Sequence, residues 1–214
     1  MSKAKKQRLV LATGNAGKLR EVQALLQPLS YELLSQADFA VTEADENGLS
    51  FVENALIKAR NASHQCGLPA LADDSGLLVD SLDGAPGIHS ARYAGGNGDK
   101  ANNTRLLEAL SNVPEQQRTA SFQCVMVFVR MPSDPVPLIA QGRWQGRILT
   151  ASLGKNGFGY DPLFWLESEN KTAAQLSPAR KNQLSHRGQA LRYMAEQLAA
   201  NPPLPIPILD TQES

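Results

Sequence analysis

Thr119-Ala120-Ser121-Phe122-Gln123-Cys124-Val125-Met126-Val127-Phe128-Val129-Arg130-Met131 is the stretch on which the fold turns. Phe122, Cys124, Met126 and Phe128 fall on one face of a strand, and Val125, Val127 and Val129 fill the other. A strand that is apolar on both faces is covered on both, so this segment belongs in the middle of a sheet. Pro132-Ser133-Asp134-Pro135 turns the chain back, and residues 137–148 are the expected partner in an antiparallel hairpin. Upstream, 8–13 and 31–35 read as short strands, and 19–27 as a helix with Val22, Leu25 and Leu26 on one face. Ser50-Phe51-Val52-Glu53 is a capping box that starts a helix over 51–66, stopped by Gly67 with Pro69 beyond.

Downstream, Asp99 or Asn102 is placed to cap a helix carrying Leu106, Leu107 and Leu110. A strand follows at 163–166. Ser177-Pro178 opens a helix whose buried stripe is Leu184, Leu191, Met194 and Leu198. Helices alternating with strands early and a hairpin late predict an α/β fold with a mixed sheet.

The chain has 214 residues, enough for one large domain or two small lobes, with a basic tail over 1–7, a single domain over 8–200 and a proline-rich tail over 201–214. Lys plus Arg equals Asp plus Glu, 21 against 21, so no excess positive field exists to hold a nucleic-acid polymer by counterion release. No apolar stretch approaches the length of a membrane span, and no apolar signal core follows the basic start, which makes the cytoplasm the default location. Cys66 and Cys124 are too few for a disulfide framework and act as small hydrophobes.

Chemistry concentrates first at Ala72-Asp73-Asp74-Ser75-Gly76, where an apolar run ends in two carboxylates. Such a strand end is costly unless a positive group sits there, and hard oxygen ligands suit Mg²⁺. Because strand neighbours face opposite ways, Asp73 and Asp74 reach one ion only if the strand has already broken. An ordinary Asp-Ser-Gly turn accounts for the same residues. A second concentration is Thr13-Gly14-Asn15-Ala16-Gly17-Lys18, between a strand and a helix N-terminus, where backbone amides and a lysine suit an anion. It is not a Walker loop, because its glycine-to-lysine spacing is too short and Leu19 follows. A plain strand-to-helix turn with a solvated lysine is the alternative. In 154–162, glycines flank Phe158 and leave its ring open to stack on a planar base, or Phe158 and Tyr160 simply plug the core.

These blocks, with Gly84-Ala85-Pro86-Gly87-Ile88, Ser90-Ala91-Arg92-Tyr93 and Ser185-His186-Arg187-Gly188, occur in order from about Leu9 to Leu198. As an ordered set they resemble the inosine/xanthosine triphosphate pyrophosphatase family, the house-cleaning nucleotidases. The resemblance implies an elongated mixed sheet with flanking helices, two lobes around a substrate cleft and a homodimer. It further implies Mg²⁺-dependent hydrolysis of ITP, dITP and XTP to the monophosphate and pyrophosphate, which keeps these nucleotides out of DNA and RNA. By the same resemblance the phosphate loop falls on Thr13, Gly14, Asn15, Ala16, Gly17 and Lys18, the catalytic acid on Asp74 and a substrate contact on Ser75. Metal carboxylates fall on Glu46, Asp73 and Asp74, and the base pocket on Phe158, Gly159, Tyr160, Asp161, Lys181, His186 and Arg187.

Side-chain donors at Lys181, His186 or Arg187 would favour a 6-keto purine over adenine, whose amino group cannot accept. A pyrophosphatase for modified pyrimidine triphosphates would open with a serine-rich loop followed by arginines, unlike Thr13-Gly14-Asn15. A nucleotide sensor without turnover would have no need of Asp73 and Asp74.

Overall fold

The computed structural model describes residues 6–13, 19, 22, 23, 26, 29 and 31–201. Among them, seven strands form one sheet in the order β2-β1-β3-β4-β5-β6-β7. The strands are β1 (Gln7–Leu11), β2 (Tyr31–Ser35), β3 (Ala70–Val79), β4 (Thr119–Val129), β5 (Leu138–Ile148), β6 (Phe164–Leu166) and β7 (Lys171–Thr172). The helices are α1 (Phe51–Cys66), α2 (Gly98–Ala109), α3 (Pro178–Leu184) and α4 (His186–Ala200). The doubly apolar strand β4 is central, as its pattern requires, and runs antiparallel to both β3 and β5. Since β1 is parallel to β2 and β3, the sheet is mixed and the fold is α/β.

Strands β3, β4 and β5 have 10, 11 and 11 residues. At about 3.3 Å per residue they extend for roughly 35 Å, long enough to serve two cores in succession. At one end Leu191, Met194 and Leu198 of α4 pack on Leu71, Met126 and Phe128. On the opposite face Ala55, Ala59 and Ala62 of α1 lie over Val125, Val127 and Val129, small residues letting the helix approach the sheet closely. At the other end Leu77, Phe122, Trp144 and Ile148 join Leu106 of α2, Leu110 just past its end and Phe164 of β6. These are the two lobes.

Helix α1 has its expected bounds. Ser50 Oγ accepts from Glu53 N (3.4 Å) and Gly67 ends the helix at φ 63. Glu53 reaches back one residue further than a standard box, its Oε2 accepting from Leu49 N (2.9 Å).

Three expectations are corrected. Strand β3 does not end at the carboxylates but runs through them, because Asp73, Asp74 and Ser75 stay in register with Met126, Val125 and Cys124 of β4. The helix begun at Ser177 is not continuous. Ser185 is extended (φ −64, ψ 155), ends α3 and caps α4, its Oγ accepting from Gly188 N (3.2 Å). Gly188 closes this corner, since a Cβ there would strike the Asn182 carbonyl. The supposed single stripe is thereby divided, with Leu184 against the second core and Leu191, Met194 and Leu198 in the first. Finally, neither Asp99 nor Asn102 caps α2, whose N-cap is Asn97; its side chain makes no capping bond and donates instead to the Ala94 carbonyl (2.8 Å).

The β4–β5 turn is built on Asp134, whose buried carboxylate accepts from Arg130 N (2.9 Å), Arg130 Nε (2.8 Å), Arg130 Nη2 (2.6 Å) and Val136 N (3.0 Å). The Arg130 hydrogen bonds hold the Asp134 carboxyl down at about 2. Of the expected helix over 19–27, Leu19, Val22, Gln23 and Leu26 are helical, and Val22 and Leu26 are buried in the first core. Among the described residues no helix is long and apolar enough to cross a membrane.

Candidate active site

Strand β1 accompanies β3 only at Val10↔Ala70 and Leu11↔Leu71. Beyond that point the edge of β3 is left open until the 3₁₀ turn Gly87–Arg92 closes on it, with Leu77 N donating to Ser90 Oγ (2.9 Å). A crevice at the carboxyl end of a parallel strand, where its neighbour departs, is the usual ligand position in open α/β sheets. Asp73, Asp74, Ser75 and Gly76 lie along this open edge. Gly76 is required by the close approach, because a Cβ there would collide with the Gly87 carbonyl and Ser90 Oγ.

Two cavities meet at this edge. The larger, about 330 Å³, is lined by Asp73, Asp74 and Ser75, by Glu46, by 158–161, and by Lys181, His186 and Arg187. The smaller, about 210 Å³, is lined by Thr13, Glu43 and Asn61 among others. Glu46, Lys58 and Asp73 line both. Every described residue assigned a binding, catalytic or metal role from the sequence therefore borders one of the two cavities. Gly14, Asn15, Ala16, Gly17 and Lys18 lie outside the described residues.

The unbroken strand sends its two carboxylates to opposite faces. Asp73, on the α4 face and 7% exposed, accepts from Arg187 Nε at 3.4 Å, and Arg187 Nη2 donates to Ser75 Oγ at 3.0 Å. Asp74, on the α1 face, meets Lys58. Lys58 Nζ donates to Glu46 Oε2 (3.0 Å) and Asp74 Oδ1 (3.3 Å), so one ammonium joins the two carboxylates. Burial alone would discourage the charge on Lys58, yet Asp74 and Glu46 outweigh it and hold its pKa above the ordinary lysine value. Burial pushes the Asp74 carboxyl above the usual carboxylate range, against the pull of Lys58. Asp74 Oδ2 is buried and accepts no hydrogen bond among the described residues. Glu46, Asp73 and Asp74 do not converge as the expected set of three: the described residues contain no group of three acidic, histidine or cysteine side chains placed for one metal ion. Strand alternation is the reason.

On the other side of the cleft, Phe158 is 60% exposed and its ring faces cations, with Lys181 Nζ at 4.6 Å and Arg187 Cζ at 5.8 Å from the centroid. The core-plug alternative thus holds for Tyr160, which is buried and donates to the Ser90 carbonyl (2.9 Å), but not for Phe158. Burial raises the Tyr160 phenol above its ordinary value. Asp161, also buried, accepts from Phe158 N (2.9 Å) and pairs with Lys181. Gly157, at φ 79, has no room for a Cβ because the Asp161 carboxylate fills the space. His186 is stacked on Phe122 (centroids 4.8 Å apart, planes 11° from parallel) at the start of α4. Gly142 of β5 admits the His186 carbonyl where a Cβ would block it.

The corner between α3 and α4 brings Lys181 from before the break and His186 and Arg187 from after it to one wall. Lys58 was not among the residues assigned a role from the sequence. Its signal was present, since Asn54 and Lys58 are four apart on one helix face, and Asn54 is buried and accepts from Gly48 N (2.9 Å).

The fold and cleft together define a two-lobed α/β protein whose open strand edge presents carboxylates beside a wall of cationic and aromatic side chains. The chain belongs to the Ham1 family, whose model matches residues 9–197. It is 58% identical over 192 residues to a dITP/XTP pyrophosphatase of Thioalkalivibrio sulfidiphilus, covering 89% of this chain and 98% of that protein. It is 55% identical over 194 residues to a dITP/XTP pyrophosphatase of Vibrio parahaemolyticus, covering 90% and 97%. Among solved structures, a HAM1 protein from Coxiella burnetii superposes with a TM-score of 0.88 at 48% identity, covering 91% of this chain and 99% of that one. A nucleoside-triphosphatase / dITP/XTP pyrophosphatase from Mycobacterium abscessus gives a TM-score of 0.74 at 40% identity, covering 90% and 100%.

Proposed function

We propose that this protein hydrolyses nonstandard purine nucleoside triphosphates, dITP, ITP and XTP, to the nucleoside monophosphate and pyrophosphate. The observation that carries the reading is the cleft itself, with an exposed aromatic ring and cationic donors at one end and carboxylates with a lysine at the other. The near full-length identity to proteins named dITP/XTP pyrophosphatase supports it. The purine stacks on Phe158, and Lys181, His186 and Arg187 supply donors that a 6-keto group satisfies and an adenine amino group does not. Ser75 contacts the substrate, Gly159, Tyr160 and Asp161 complete the base pocket, and the loop from Thr13 to Lys18 receives phosphate oxygens.

Asp74 is assigned as the general base. A carboxylate with a raised pKa accepts a proton from water more readily than an exposed one, and that water then attacks the α-phosphorus as pyrophosphate leaves. The chain's own donors fit a hard divalent cation shared with the triphosphate: buried Asp74 Oδ2 lacks a partner among the described residues, and Glu46 lies across Lys58 from it. We assign the ion as Mg²⁺, which Asp74 and Glu46 would hold, with Asp73 on the other face of the strand able to join only through a rearrangement, one or two protein carboxylates being its usual share. When bound it supplies charge neutralisation for the pyrophosphate leaving group. The protein is further proposed to be a cytoplasmic homodimer with one catalytic domain over 8–200, and sedimentation as a monomer at micromolar concentration would refute the dimer.

The deciding experiment is pyrophosphate release from dITP, XTP, dATP and dTTP, each with Mg²⁺ and with EDTA. Metal-dependent release from dITP and XTP, with little from the other two, is the expected result. Intact dITP that still binds would leave a nucleotide-binding module instead.

A further inference from the structure

We infer that Asp99 and Asn103, one turn apart on α2, are positioning residues that set the loop bearing Phe158 and through it the choice of base. The inference rests on the base-pocket reading given above. Asp99 Oδ2 accepts from Gly159 N (2.6 Å), and Asn103 Nδ2 donates to the Gly159 carbonyl (2.8 Å). Both polar backbone groups of one residue are thus held by side chains at i and i+4 of one helix face.

Gly159 is the residue where such a hold matters. It adopts φ 59, a left-handed conformation, and has no side chain with which to anchor itself. The neighbouring Phe158 ring is mostly exposed, so its own packing does not fix it, and its place is inherited from the backbone on either side. On one side, Phe158 N is tied to Asp161. On the other, the ties are Asp99 and Asn103.

The helix that holds Gly159 is itself fastened to the facing wall of the cleft. Asn102 is buried, accepts from Ala94 N (2.7 Å) and donates to the Ala91 carbonyl (3.1 Å). Three side chains of α2 therefore set the spacing between 91–94 and the base loop. Asp99 is exposed and makes no capping bond, so its share in general stability is the small one of a first-turn acid at the positive end of α2, whereas a short bond from a carboxylate to one loop amide directs that loop.

The test uses the full chain as wild type and as Asp99→Ala, Asp99→Asn and Asn103→Asp, with kcat and KM measured for dITP and dATP and thermal midpoints recorded. For Asp99→Ala and Asn103→Asp, KM for dITP rises about five- to tenfold and kcat falls less, as expected for loss of one charge-assisted or buried hydrogen bond. The dITP-to-dATP ratio of kcat/KM falls by a similar factor. The midpoint of Asp99→Ala stays within about 2 °C, as for other surface substitutions. Asp99→Asn keeps an acceptor oxygen and recovers part of the loss. An unchanged ratio, or a lowered midpoint with KM unmoved, overturns the inference. If the wild type released no pyrophosphate from dITP, the functional reading would fail by itself. Calorimetric dITP affinity would then decide the positioning role: a five- to tenfold loss in Asp99→Ala supports it, and unchanged affinity overturns it.

Discussion

Phe158→Ala isolates the contribution of the ring proposed to stack on the base. The ring is 60% exposed, so its removal leaves both cores intact, and its free-state contacts are the two cations at 4.6 and 5.8 Å from its centroid. Alanine substitution of an aromatic side chain that stacks a base costs about 1–3 kcal/mol. Against that, the ring already interacts with the two cations before substrate arrives, each contact being about 0.5–1 kcal/mol at an exposed site and the more distant Arg187 at the weak end. A base that takes the ring face displaces part of this, so the net loss on substitution is about 1–2 kcal/mol, or roughly a 5- to 30-fold rise in KM. The kcat should change less, since neither Asp74 nor Lys58 touches the ring. Initial rates of pyrophosphate release over a dITP concentration series measure both constants, with Phe158→Tyr as the control that keeps a ring. An Ala variant with wild-type KM, or one that loses kcat alone, would refute the stacking argument.

Asp74→Asn should lower dITP turnover by about 10³-fold or more, the order expected for removing a general base that also contacts metal, while calorimetry still detects dITP binding. Normal turnover in that variant would remove Asp74 from the mechanism. Asp134, with its folded pKa at about 2 against an ordinary 3.8, stabilises the protein fully above the unfolded value and loses that contribution as pH falls through about 2. The shift sets a ceiling of about 2.5 kcal/mol, and the half-exposed Arg130 guanidinium brings the expected figure to ~1–2 kcal/mol. Urea midpoints should therefore drop below about pH 4, and Asp134→Asn should be less stable at neutral pH with a flatter acid limb. Gly142→Ala pushes a Cβ against the His186 carbonyl, which should cost about 1–3 kcal/mol in urea unfolding and raise KM for dITP. Unaltered stability and KM would mean that α4 shifts without disturbing the cleft wall.

Periodicity made the central hairpin legible. Phe122 to Val129 carries apolar residues on both faces, and no surface or edge strand tolerates that, so the middle of the sheet was the only place for it. Ser50, Gly67 and Ser177-Pro178 were equally plain because caps are local chemistry. What local chemistry could not show was the continuity of β3 through Asp73 and Asp74. Two adjacent acids in a strand look like its end unless one knows that β1 departs there and opens the edge to solvent. The break at Ser185 was hidden for a related reason, since the apolar spacing from Leu184 to Leu198 continues across it. The capping serine Ser185 and the close approach of Gly188 to Asn182 mark the corner. Lys58, Asp99 and Asn103 took their roles from partners 12 to 60 residues away in sequence, and no short motif encodes such a separation.

The alternation of Asp73 and Asp74 along one unbroken strand divides labour between the two sides of the sheet. Asp73 and Ser75 engage Arg187 on the α4 side, while Asp74 engages Lys58 on the α1 side. The carboxylate assigned as general base thereby sits on a strand paired on one side along its whole length, with β4 fixing its register residue by residue. The groups proposed to read the base sit elsewhere, on a glycine-rich loop and a helix corner. Variation in which purine is accepted has room to arise on those peripheral segments, one substitution at a time, while the carboxylate stays in place.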